Sequence, residues 1–76
     1  MNIHAVRKAK TEAKRFIEAC DAMAAARNAA YEADREHLKS IGLWPPGDGI
    51  APSKESGALR RASMDLTRAL TEMRKP

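Results

Sequence analysis

The sequence predicts an all-α protein, an antiparallel helical hairpin with a long first helix and a shorter second one. Three observations carry this. From Asn2 to Ile41 there is neither glycine nor proline, and eleven alanines among many lysines, arginines and glutamates give the segment strong helical propensity. Six of the eight glycines and prolines then crowd between Gly42 and Pro52. Beyond them Leu59, Ala62, Leu66, Ala69, Leu70 and Met73 recur at helical spacing.

The first element is a helix over residues 3–41, about 57 Å long at 1.5 Å per residue if all of 3–40 joins it. Its apolar positions are Ile3, Val6, Ala9, Ala13, Phe16, Ile17, Cys20, Met23, Ala24, Ala30, Tyr31, Leu38 and Ile41, each three, four or seven residues from another of the set. Arg27 and Asp34 interrupt that stripe. Since a charge pair is rarely favourable in so small a core, they mark where the stripe rotates away rather than a buried pair. The small residues from Ala22 to Ala30 permit close helix approach, though alanine's helical propensity alone also accounts for them.

The linker is 42–52. Gly42 suits a left-handed helix cap, and Pro45-Pro46 cannot continue a helical ladder. Trp44 within it either folds back with Leu43 and Ile50 to cap the hairpin or stands out as an anchor for a partner. Ser53 or Ser56 offers the N-cap of a second helix over 54–75, which completes a single domain spanning 1–76.

With Lys54 set beside Lys39 or Ser40, the shorter helix ends near Asp21 and covers only the C-terminal half of the long one. The charge blocks fit that register: residues 1–15 and 57–76 are each mainly basic, whereas 16–36 hold five acidic and two basic side chains. An uncovered N-terminal arm follows, and with it a homodimer in a largely four-helix arrangement. Its expected seam is Ile3, Val6, Ala13, Phe16, Ile17 and Cys20.

Only 18 apolar side chains are larger than a methyl group, so the core is thin and a partner is expected to add to it. One cysteine makes no internal disulfide, no 18-residue apolar run exists, and Arg7, Lys8 and Lys10 break the start of the chain. A cytoplasmic protein that neither spans nor binds a membrane is the expectation. Cys20 has no histidine within one helical turn, His4 and His37 lie 33 residues apart, and Gly47-Asp48-Gly49 is only a turn. No catalytic, cofactor or metal site is expected, and the chain reads as a non-enzyme.

A net charge of +4 and a pI near 9.6 suit an anionic partner. Two surfaces compete for it. On the second helix Arg60, Arg61, Arg68 and Arg74 surround Met64, an anchor-and-rim layout for an acidic patch on a protein, with Trp44 as a further anchor. On the first helix Arg7, Lys8, Lys10, Lys14 and Arg15 form an arm suited to phosphates, although the chain lacks a nucleic-acid reading motif. A purely structural oligomerisation unit is the third possibility.

Two segments, KAKTEAKRF at 8–16 and RASMDLTRALTEMR at 61–74, resemble stretches of small Ala/Arg-rich accessory proteins encoded by tailed phages and prophages. The resemblance covers about a third of the chain and carries no site motif. It implies a phage-encoded inhibitor or modulator that binds one protein of the bacterial host, in its defence or transcription machinery, and acts in the host cytoplasm.

Overall fold

The computed structural model describes residues 1–76 and is all-helical: 58 residues fall in three helices, with no strand. These are α1 (Ile3–Ala33), α2 (Arg35–Ser40) and α3 (Lys54–Arg74). The molecule measures 58 × 17 × 14 Å, a rod set by the combined length of α1 and α2.

α1 starts where the Asn2 side chain accepts the amide of Ala5 at 2.9 Å, satisfying one donor of the first turn. The helix does not run unbroken to Ile41. Asp34 leaves helical geometry at φ −113° and ψ 15°, and its amide reaches back to the Tyr31 carbonyl at 3.2 Å. A poor helix former thus sits where the stripe was interrupted in the sequence. α2 ends in a Schellman motif: Gly42 takes φ +77°, its amide bonds the Lys39 carbonyl, and the Leu43 amide bonds that of Leu38 at 2.9 Å.

Residues 43–52 then travel back along α1 instead of turning tightly at its tip. Arg27 holds them, its guanidinium donating to the carbonyls of Gly47 and Gly49 while lying 4.7 Å from the centre of the Tyr31 ring. α3 begins at a capping box in which the Ser53 hydroxyl accepts the Ser56 amide and the Ser56 hydroxyl accepts the Ser53 amide.

This backtracking corrects the expected register. Met23 and Ala26 share a groove with Ser53 and Glu55, Cys20 and Met23 share one with Leu59, Arg15 approaches Asp65 at 3.9 Å, and the Met1 amine bonds the Lys75 carbonyl. Lys54 therefore stands near Ala26, about 20 Å from the expected position beside Ser40. α3 covers α1 from its first turn to about Ala26, and the overhang lies at the other end, where Ile41 and Leu43 are exposed.

The physical reason is the quality of the available stripes. Ala9, Phe16 and Met23 recur every seven residues, with Ala5, Glu12, Ala19 and Ala26 between them, and face Leu59, Ala62, Leu66, Ala69 and Met73 of α3. The buried residues are Ala9, Met23, Ala62 and Ala69. Three alanines out of four let the helix axes approach closely, which compensates for the scarcity of large side chains. Past Ala30 the stripe fails at Asp34, so that half of the rod has less to offer.

Candidate functional site

Antiparallel packing around this seam gives the hairpin two long flanks, and they differ in charge. On one flank opposite charges are interspersed, and one pair, Arg15 with Asp65, reaches from helix to helix. Arg15 bonds Glu12 at 2.9 Å and approaches Asp65, Lys75 bonds Glu72 at 3.0 Å, and Lys8, Glu12, Asp65, Arg68 and Glu72 line a common groove. Glu12 is the only carboxylate in the first fifteen residues and is spent on this flank.

On the opposite flank the helical phase brings Val6, Ala13 and Cys20 of α1 beside Ser56, Ser63 and Leu70 of α3. Val6, Ala13, Cys20, Ser56 and Leu70 are half-buried, forming a shallow apolar floor. Exposed Ile3 and Ile17 rise at its α1 edge, each more than half accessible, with Lys10 between them and Arg7 and Lys14 just outside. The α3 edge carries Arg74. No carboxylate belongs to this flank between Ile3 and Cys20. The returning linker closes its far end, where Asp48 and Ile50 meet Cys20, Ala24 and Asn28.

The register also concentrates charge along the rod. Residues 1–15 and 57–76 now lie side by side and hold ten basic and three acidic side chains, a net +7. Residues 16–56 hold four basic and seven acidic ones, a net −3. Alternating blocks of sign were expected to pair with their opposites; like blocks are adjacent instead.

The residues expected at a dimer seam divide accordingly. Val6, Ala13, Phe16 and Cys20 are half-buried in the hairpin itself, and only Ile3 and Ile17 remain exposed. The uncovered arm that motivated a second copy is covered by α3.

The arginine cluster is a surface feature. Arg60, Arg61, Met64 and Arg68 line a depression of about 360 Å³ with Gly57 and Asp65, and Met64 is 53 % exposed. Arg74 lies apart from them, on the carboxylate-free flank. Trp44 belongs to the far end of the rod, half-buried with the Arg35 guanidinium 5.4 Å from its ring centre, and is remote from the arginines. Leu43 and Ile50, expected to shelter it, are both exposed. The basic arm is exposed throughout, with Arg7, Lys10 and Lys14 on the carboxylate-free side and Lys8 and Arg15 on the ion-paired side.

One residue that sequence reasoning undervalued is Arg27. A cation inside an apolar stripe was the available signal, and it anchors the linker rather than pairing with Asp34. Beneath that linker Met23, Ala26, Ala30, Tyr31, Leu38 and Ile50 line a groove of about 380 Å³.

No three histidine, cysteine or acidic side chains come together as a metal set, and no helix is long and apolar enough to cross a membrane. Neither protein-family models nor curated proteins nor solved structures match the chain.

Proposed function

We propose that the chain is a non-enzymatic binding module that works by occupying an acidic surface of another protein. The observation that carries this is the side-by-side placement of two basic blocks, which gives one half of the rod a net +7. Such a field draws in and orients an anionic partner over distances of about a Debye length, roughly 10 Å at 0.1 M salt. A two-helix rod without a deep cleft offers surface rather than a reaction chamber. The resemblance of residues 8–16 and 61–74 to phage accessory proteins adds the further proposal that the partner is a bacterial host protein and the chain its inhibitor or modulator.

Capture from a nuclease-treated bacterial lysate tests the reading. A defined protein partner should be retained by the native chain and lost when Arg7, Lys8, Lys14 and Arg15 are reversed to glutamate. Capture that disappears with nuclease, together with direct duplex binding by the purified chain, would overturn it.

The same basic half supports a second reading, binding of nucleic acid through Arg7, Lys8, Lys10, Lys14 and Arg15, all of them exposed. It predicts a log–log dependence of affinity on salt with a slope near −0.9 per neutralised phosphate on duplex DNA.

A further inference from the structure

We propose that the carboxylate-free flank of the hairpin is the docking groove, and that its occupant is an acidic amphipathic helix of the partner protein. The inference rests on the protein-binding reading above and names both the surface and the chemistry that fits it. Two properties of the flank define the occupant. Its floor, built from Val6, Ala13 and Leu70 and edged by exposed Ile17, is an apolar strip that solvent covers poorly and a helix covers well. Its edges, Lys10 and Arg74, have no carboxylate beside them between Ile3 and Ile17, Asp21 standing one turn beyond the strip, whereas on the opposite flank Glu12, Asp65 and Glu72 already offset part of the positive charge.

Glutamates flanking an apolar stripe would satisfy both at once, and the third helix would turn a thin two-helix seam into a three-helix core. The strip is about 20 Å long from Ile3 to Ile17, which accommodates about four helical turns. The linker at Ile50 and Asp48 stops the groove at its far end.

A second copy of this chain fits poorly. Most of the open strip lies within the basic half, with Ile17 at its margin, so a two-fold arrangement through it sets much of one +7 half against the other. Nucleic acid needs the cations but has no use for an apolar floor that carries no stacking aromatic.

The test uses fluorescein-labelled peptides and anisotropy on the full chain. One peptide is an eighteen-residue helix with leucine at heptad positions a and d and glutamate at e and g. The controls are the same composition with its phase scrambled, poly-glutamate, and a duplex DNA of similar length. The amphipathic peptide should bind about tenfold or more tighter than either acidic control, and Ile17→Glu should weaken it by about tenfold or more. Met64→Glu, on the other side of α3, should leave its affinity within about twofold.

Circular dichroism checks that both variants stay helical, as the exposure of both side chains leads us to expect. Equal binding of the scrambled peptide or poly-glutamate, indifference to Ile17→Glu, tighter binding of the duplex, or sedimentation of the free chain as a dimer that Ile17→Glu dissociates would each overturn the proposal. Lysate capture with Ile17→Glu separates the two levels. A nuclease-resistant partner that survives this change removes the groove and leaves the protein-binding reading standing, whereas loss of the partner supports both.

Discussion

At the scale of single residues, Arg27 decides how the linker lies. Its guanidinium donates to two backbone carbonyls, of Gly47 and Gly49, and stacks over Tyr31, so three parts of the chain meet at one cation. Arg27→Met keeps an unbranched apolar stem over the tyrosine and removes the donors. Hydrogen bonds from a charged group contribute about 1.5–3 kcal/mol each when sheltered, and these exposed ones less, so the loss in a denaturant titration should be about 1–2 kcal/mol. The local effect should be larger: limited proteolysis within residues 43–52 should speed up while amide exchange in α1 and α3 stays protected. An unchanged cleavage rate in that segment would show that the linker does not depend on Arg27. Gly42 makes the contrast. Its role as a left-handed cap was legible from its place after a Gly-free run, because one dihedral region favours one residue type. Arg27 was legible only as an interruption, since a hydrogen bond across twenty residues leaves no mark in local sequence.

At the scale of elements, the helices themselves were readable and their alignment was not. Propensity and capping are local, and they placed both long helices within a few residues of their observed ends, apart from the break at Asp34. Register depends on which turns of two stripes match best and on where the intervening segment lies. Thirteen residues can span up to about 40 Å when extended, so the loop imposes no tight turn. Blocks of surface charge were a poor guide, because exposed pairs contribute well under 1 kcal/mol each and yield to close packing at Ala9, Ala62 and Ala69. α3 also carries a site where the local rule predicts a gain. Gly57 is helical, its amide bonds the Ser53 carbonyl, and a Cβ added there meets nothing within 4 Å. Gly57→Ala should therefore stabilise the protein by about 0.5–1 kcal/mol, read as a raised midpoint in thermal unfolding. A lower midpoint would show that the added methyl meets a contact that outweighs the gain in helical propensity.

At the scale of the whole molecule, the register makes a prediction about salt whose sign differs from that of the expected arrangement. Had α3 lain on the acidic middle of α1, opposite charges would face one another and salt would weaken the hairpin. In the observed arrangement a net +7 is gathered in one half, against which stand only a few ion pairs, the half-sheltered Arg15–Glu12 and the exposed Lys75–Glu72 among them. Repulsion among many like charges should outweigh those pairs, so screening should stabilise the fold. Raising sodium chloride from about 10 mM to 0.5 M shortens the Debye length from about 30 Å to about 4 Å and should raise the unfolding midpoint by several degrees. Binding of an acidic helix should respond in the opposite direction, weakening over the same range because the attraction that steers it is screened too. Measuring both on one preparation separates the effects. Salt that lowers the melting midpoint would show that ion pairing dominates the hairpin. Salt-insensitive peptide affinity would show that the groove binds through its apolar floor alone, with Lys10 and Arg74 as bystanders.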